Sequence, residues 1–285
     1  MMRGPNFLRQ QAGHLKSDVG GAVPGSHATM RGLDLHAEFR DAVWMDVFVY
    51  GITGRRLSES QLRLLDLIWT YTSYPDSRLW NNRVAALAGT ARSTGALAMA
   101  AALAASEASI FGGGVYFPAV SFIKNARQHI DSGGTMEQAV KKELKTRRGI
   151  AGYGRPLTSK DERLTPLLDQ VHRLGLDQGS HLLLALDTDR YLNEARLRLR
   201  INYVGLTAAL LADMGFSPRD YYLCEFPAFM AGMAPCYLDA VEKPEGALFP
   251  IPCEDIYYFG QGARSWPELR NANIRQGSDS GLAKE

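Results

Sequence analysis

GALAMAAALAASEASIFGGG, Gly95 to Gly114, is a run of small apolar residues that ends in a triple glycine. A helix so poor in charge and so rich in alanine has no solvent face, so the sequence predicts a central helix buried on every side. Gly112, Gly113 and Gly114 follow at once, and glycine lets the backbone take positive φ or come within contact distance of a ligand. Two local readings are open: packing punctuation between helices, or the floor of a site.

The rest of the chain narrows what such a site would serve. At 285 residues there is room for one large domain or two modest ones. Net charge is +2, which supplies neither a basic field for nucleic acid nor an acidic tail. Cys224, Cys236 and Cys253 are spaced 12 and 17 apart, which matches neither a disulfide framework nor a zinc pattern. They read as buried thiols in a reducing cytoplasm. Arg92 and Glu107 bracket the longest apolar run, short of the roughly 18 residues a membrane span requires. MMRGPNFLRQQAGHLKSDVGG lacks the apolar core of a secretory signal, so the expectation is a soluble cytoplasmic protein without membrane or nucleic-acid partners.

Residues 1–29 have no sustained period and read as an arm or tail. Asp41 to Tyr50 carries helical spacing, with stop signals at Gly51 and Gly54. Ser58 with Gln61 forms a capping-box pair ahead of Leu62, Leu64, Leu65, Ile68 and Trp69. After Pro75 a helix restarts near Asn82. Phe117 to Ser132 predicts another helix, and Thr135 with Gln138 caps the next. Lys141, Lys142, Lys145, Arg147 and Arg148 on that helix read as a solvated face, with phosphate attraction as the alternative. Helices follow from about Leu164 to Leu174 and within Gly179 to Phe216, and a single last helix runs near Tyr221 to Val241. Strand-like alternation is almost absent, so the fold class is all-α.

No histidine among His14, His27, His36, His129, His172 and His181 has a metal-ligand partner at i+3 or i+4, and no metal site is expected. Nucleophile-elbow, phosphate-loop and dinucleotide patterns are also missing. What remains is two glycine-rich loops, Ile110 to Gly114 and Gly149 to Arg155, flanked by basic residues. Convergent backbone N–H groups near arginines would suit an anion, and two ordinary loops are the other reading.

The order of these pieces resembles the citrate synthase superfamily, particularly its short bacterial citrate synthase-like and citryl-CoA lyase-like branch. RGLDLHAEF at Arg31 to Phe39 and ITGRRLSESQLRLLD after it look like that branch's opening. SIFGGG at Ser109 to Gly114, GYGRPLTSKDER at Gly152 to Arg163 and INYVGLTAALLADMGF at Ile201 to Phe216 fall where the family carries its catalytic motifs. The likeness covers roughly residues 30 to 270. It implies a dimeric, two-domain helical fold. The large domain would take 30–114 and 217–270, the small domain 115–216, and a tail 271–285.

In that family an aspartate removes a proton from the acyl group, one histidine stabilises the enol, and another holds the keto acid. Carried over by position, these roles fall on Val204, Phe111 and Arg155. Val204 and Phe111 cannot exchange a proton, and Arg155 is a permanent cation. An early family histidine has no counterpart in PDSRLWNNR, which offers Asp76, Ser77 and Arg78. Ile251-Pro252 stands where a late arginine-proline pair is expected. Arg163 is retained, and with Arg155, Asp76, Asn202 and Tyr203 it makes the expected substrate-binding set. Ile150, Gly152, Tyr153 and Gly154 would clasp the adenine of CoA, and Arg196, Arg198 and Arg200 lie near phosphate-binding positions. Asp76, Tyr153, Tyr203 or Glu107 are candidates for a proton relay.

The resemblance therefore implies CoA or acyl-CoA as a substrate rather than a tightly bound cofactor. The expected activity is formation or cleavage of a carbon–carbon or thioester bond with an unusual carboxylic acid, not ordinary citrate synthesis. The alternative is a catalytically silent homologue that serves as a structural or regulatory subunit with an active paralogue. The assembly is accordingly expected to be a homodimer or a heteromer with that paralogue. A plain CoA sensor is the third reading.

Overall fold

Caps and glycines place most of the helices where the pattern of apolar residues predicts them. The computed structural model describes residues 4–13, 17–155, 161–255, 257 and 259–262; the expected tail at 271–285 and the side chain of Cys253 lie outside these. A short helix α1 (Pro5–Gln11) is followed by three strands, β1 (Gly20–Val23), β2 (His27–Met30) and β3 (Leu33–Asp34), paired antiparallel in that order. This sheet falls mostly in the stretch read as an arm. All four β1 residues are exposed, so no alternation betrays the strand.

Helix α2 (Leu35–Glu38) is capped by the Asp34 carboxylate, and α3 (Trp44–Thr53) ends at Gly54 with φ 70°. The predicted reciprocal caps are both present, Ser58 with Gln61 opening α4 (Glu59–Thr72) and Thr135 with Gln138 opening α8 (Met136–Arg147). Between them lie α5 (Trp80–Thr90), α6 (Gly95–Ala105) and α7 (Tyr116–Asp131). Beyond α8 come α9 (Leu164–Arg173), α10 (Ser180–Glu194), α11 (Tyr203–Asp213), α12 (Pro218–Glu225) and α13 (Met230–Val241). The single last helix expected near Tyr221 to Val241 is broken. Pro227 cannot donate to the α-helical ladder, and Phe226–Phe229 forms a 3₁₀ turn between α12 and α13.

The central helix is α11 and not α6. In α11 nine residues from Tyr203 to Ala212 are buried, whereas α6 buries only Ala98 and Ala102 and leaves Leu97 64% exposed. The expectation of burial on every side thus fails within this chain, because α5 and α13 cover α6 from one side only. They pack closely enough that a Cβ on Gly89 of α5 would lie 2.6 Å from the Tyr237 carbonyl oxygen. The main apolar core joins α3, α4, α7 and α9 to α12 around α11, with a small satellite of Ala85, Ala102 and Met233. All these elements lie in one compact unit, Met1–Leu248, and Phe249–Glu285 forms a second. Cys224 and Cys236 are buried free thiols, as expected.

Gly205 on α11 and Gly152 in the preceding loop touch backbone to backbone. A Cβ on Gly205 would lie 2.2 Å from the Gly152 carbonyl oxygen. Gly205→Ala is expected to destabilise by about 2 kcal/mol or more in urea unfolding. Gly149→Ala, with open space around the new methyl, should stay within about 0.5 kcal/mol of the parent.

Candidate functional site

The loop that leads from α8 toward α9 is built against the N-terminus of α11. Gly152 and Gly154 take φ of +89° and +97°, conformations that β-carbon-bearing residues rarely adopt. The Gly152 carbonyl accepts the Asn202 amide (2.9 Å), the Gly154 amide donates to the Arg200 carbonyl (2.6 Å), and the Asn202 side-chain amide donates to the Gly154 carbonyl (2.8 Å). Asn202 Oδ1 caps α11 through the Gly205 amide. Ile150, Gly152, Tyr153, Gly154, Asn202 and Tyr203 are thereby brought together.

Asp161 holds this assembly to the arginines. Its side chain is fully buried and accepts from Arg163 Nε and Nη2, each at 2.8 Å, and from the Tyr203 amide at 3.0 Å. Burial works against its charge, but the Arg163 guanidinium and the two amides outweigh it and hold the carboxyl below the usual range. Arg163 lies 4.2 Å over the Tyr203 ring and 5.8 Å over Tyr74. Arg155 is 2.9 Å from Glu162, whose carboxylate also takes the Tyr74 hydroxyl. Two side-chain nitrogens of Arg163 are therefore committed to orientation, and Arg155 is matched by an acid of the same loop.

Other expected site residues sit apart from this network. Phe111 is 59% exposed in a left-handed conformation (φ 60°), and its carbonyl faces the Trp80 indole at 3.4 Å. Val204 is half-buried, and its carbonyl accepts from the Thr207 and Tyr221 hydroxyls. Asp76 is bound bidentate to Arg78, while its own carbonyl and that of Tyr74 accept the Asn82 side-chain amide. Tyr222, rather than a site residue, meets the Glu107 carboxylate.

The triple glycine serves backbone packing. A Cβ on Gly112 would lie 2.5 Å from the Ser106 carbonyl oxygen, and one on Gly113 would lie 2.8 Å from the Phe226 ring. The Gly113 and Gly114 amides are spent on Ser106 and Ala108, as the Gly154 amide is spent on Arg200. These amides are not aimed at an anion. Nor do the candidate relay tyrosines suit proton transfer near neutrality. Tyr153 donates to the Ala185 carbonyl and Tyr203 to that of Ile68, and burial pushes both phenols upward.

Sequence reasoning missed Asp161, although it lies in the quoted SKDER segment, and it missed Glu225 entirely. It also missed the His181–Asp213 pair (2.8 Å), in which Asp213 caps the start of α10. Arg200 is committed to Asp189 through two bonds. Among the described residues no cluster of metal-ligating side chains is present. No helix there is long and apolar enough to cross a membrane.

The architecture matches known structures across nearly the whole chain. Citryl-CoA lyase from Hydrogenobacter thermophilus superposes with a TM-score of 0.78 over 90% of this chain and 99% of its own, at 20% identity. The chain has a citrate synthase-like fold. ATP citrate lyase from Methanothrix soehngenii, solved with citrate and coenzyme A, gives 0.71 at 19% identity over 91% of this chain but 43% of its own. Citrate synthase from Thermotoga maritima gives 0.61 at 17% identity over 80% of this chain and 60% of its own. No family model and no curated protein sequence matches, so the likeness is one of shape.

Within this citrate synthase-like fold Asp161 is the residue whose loss the site should feel most. Asp161→Asn leaves the half-buried Arg163 guanidinium beside a neutral amide, and the loss should reach about 3 kcal/mol, the lower edge of the cost of breaking a fully buried pair. The folded carboxyl ionises below its unfolded value of about 3.9. Its stabilisation is therefore full above that value and lost as pH falls through the folded one. Acid unfolding monitored by circular dichroism should lose that component in the variant.

Proposed function

We propose that the chain binds an acyl-CoA together with a carboxylic acid and forms or cleaves a carbon–carbon or thioester bond between them, by a route other than ordinary citrate synthesis. The observation that carries this reading is the Arg163 guanidinium. It is fixed by buried Asp161 against the Tyr203 ring at the head of α11, within a fold shared with lyases solved with citrate and coenzyme A or with citryl-CoA. A guanidinium whose Nε and Nη2 are already held has its third nitrogen set for a substrate carboxylate. Ile150 to Gly154 would lie along the adenine, with CoA a substrate and not a resident cofactor. The large domain (30–114 and 217–270) and the small domain (115–216) would close over the cleft from hinges at the two glycine loops. Ordinary citrate synthesis is set aside because Phe111 and Val204 offer no proton donor or acceptor where that chemistry needs one.

The second reading, a silent subunit of a heteromer with an active paralogue, draws on the same two residues and on the outer face of α6. Leu97, Leu238 and Met230 are 64%, 56% and 41% exposed, and Ala100, Ala101, Ala104, Ala231 and Ala234 are exposed beside them on α6 and α13. Such an apolar face suits a subunit interface, in a homodimer on the first reading and a heteromer on the second.

A panel of acyl-CoAs with keto and hydroxy acids, followed by release or consumption of free thiol, tests the enzyme reading. Turnover is expected in the parent, with Arg163→Ala raising KM for the acid at least about tenfold; silence across the panel at high protein concentration overturns it. Light scattering should find a dimer for the parent and a monomer for the Leu97→Glu, Leu238→Glu double variant. A paralogue that co-purifies in fixed ratio would instead select the heteromer.

A further inference from the structure

Glu225, the last residue of α12, is 2% exposed, and its Oε1 has no hydrogen-bond partner. The other orphaned buried side-chain atoms among the described residues are the neutral hydroxyls of Thr90 and Thr188. A buried carboxyl left without a donor destabilises a fold, so its presence requires an explanation. Its surroundings supply one. Tyr116 from the start of α7 and Tyr221 of α12 meet edge to face at 5.2 Å, and Tyr203 from α11 lies beneath the Arg163 guanidinium at 4.2 Å. Tyr221 lies one turn before Glu225 on α12, and its hydroxyl meets that of Thr207 (2.7 Å), one turn after Tyr203 on α11. Burial pushes the Tyr116 and Tyr203 hydroxyls up, the Glu225 carboxyl adds to this and Arg163 opposes it. An anion-seeking guanidinium and a donor-seeking carboxyl thus share one aromatic wall.

We propose that this wall receives the acid substrate as a zwitterion, a carboxylic acid that also carries a protonated amine, with its carboxylate toward Arg163 and its ammonium toward Glu225. The proposal rests on the reading of Arg163 as the carboxylate-binding group. A dicarboxylate could at most accept a hydrogen bond from the neutral Glu225 acid and would leave Oε1 without a donor, whereas an ammonium fills that orphan acceptor and is favoured by the faces of the flanking tyrosines. Entry requires the Phe226–Phe229 turn to shift. Pro227 there contributes no amide to the ladder, which makes the junction of α12 and α13 the weak point of the wall.

The other groups near Glu225 do not supply the missing charge. Cys224 and Tyr221 on α12 are themselves buried, and burial together with the Glu225 carboxyl raises both. Asp46 on α3, a helix packed against α12, is paired with Arg56 at 2.6 Å. With no charged partner, burial pushes Glu225 up to about 8, so it is protonated at pH 7. Pairing with an ammonium would ionise it. Binding at pH 7 therefore releases a proton, and affinity rises from pH 6 toward pH 8.

Titration calorimetry on the full chain tests this, with glycine, β-alanine, L-aspartate and L-glutamate set against acetate, propionate, succinate and glutarate. Runs in buffers of different ionisation enthalpy, with and without CoA, count the protons released. The expected result is that at least one amine-bearing acid binds about ten- to hundredfold tighter than its deaminated counterpart, with proton release. Glu225→Gln should abolish that preference and the proton release while CoA binding persists. Because glutamine still places a polar group in the wall, Glu225→Leu serves as the second variant, expected to be more stable than the parent and equally without the preference. Absence of any amine preference in a parent that binds CoA overturns the proposal and leaves the acyl-CoA reading intact. Retention of the preference in both variants overturns it too. Failure of the parent to bind CoA removes the acyl-CoA reading, and an amine preference that depends on Glu225 would still support the site.

Discussion

One buried carboxylate, Asp161, ties the loop and the start of α9 around it to the head of α11, 42 residues on. It accepts the amide at the head of α11, fixes Arg163 at the start of α9, and lies 3.9 Å from Arg155 in the glycine loop. Each tie would be weak in water. In a buried setting they are mutually dependent, because a carboxylate denied water must be satisfied by its partners, and a guanidinium stripped of it becomes an unpaired buried charge. The orientation of Arg163 follows from this junction, and so does any acid-binding role it plays.

The junction closes only because two backbones can touch. Gly152 must take positive φ and Gly205 must lack a β-carbon for the loop to reach α11, and Asn202 then stitches both sides. The second glycine cluster works by the same means elsewhere. Gly112 and Gly113 let the chain after α6 fold back onto Ser106 and the Phe226 ring, and the amides turn inward. Both loops are therefore devices for close approach between protein segments. A glycine-rich sequence is ambiguous on this point, since the same absence of a side chain admits a ligand or a neighbouring strand of the chain.

Local signals were legible in the sequence wherever the cause was local. The capping boxes at Ser58 and Thr135 and the stop at Gly54 depend on residues within one turn of each other, and they appear where predicted. The order of motifs carried the fold itself. What stayed hidden was set by tertiary neighbours. Whether α6 is buried depends on how many helices cover it, and composition alone does not reveal that only α5 and α13 do so. Asp161 and Glu225 are both acids between unremarkable neighbours; only packing distinguishes them from the exposed Glu242 and Glu245. The hairpin at β1 and β2 was invisible because β1 is exposed throughout and β2 is half-buried at three successive residues, so neither alternates.

Asp161 and Glu225 also show how burial alone divides two carboxylic acids into opposite roles. Asp161 has a guanidinium and two amides, so its charged form is stabilised despite desolvation and it serves as a fixed anchor. Glu225 has burial with no donor to Oε1, so its neutral form prevails. A site with one anchored cation and one uncommitted acid differs from a site built for a second carboxylate, where the natural complement is a second guanidinium or an imidazole. On the proposed reading, Phe111 and Val204 stand where ordinary citrate synthesis would need groups that move protons, whereas the acid at Glu225 sets which ligand charge the site would tolerate. The two features act on different terms, transition-state stabilisation and ground-state recognition.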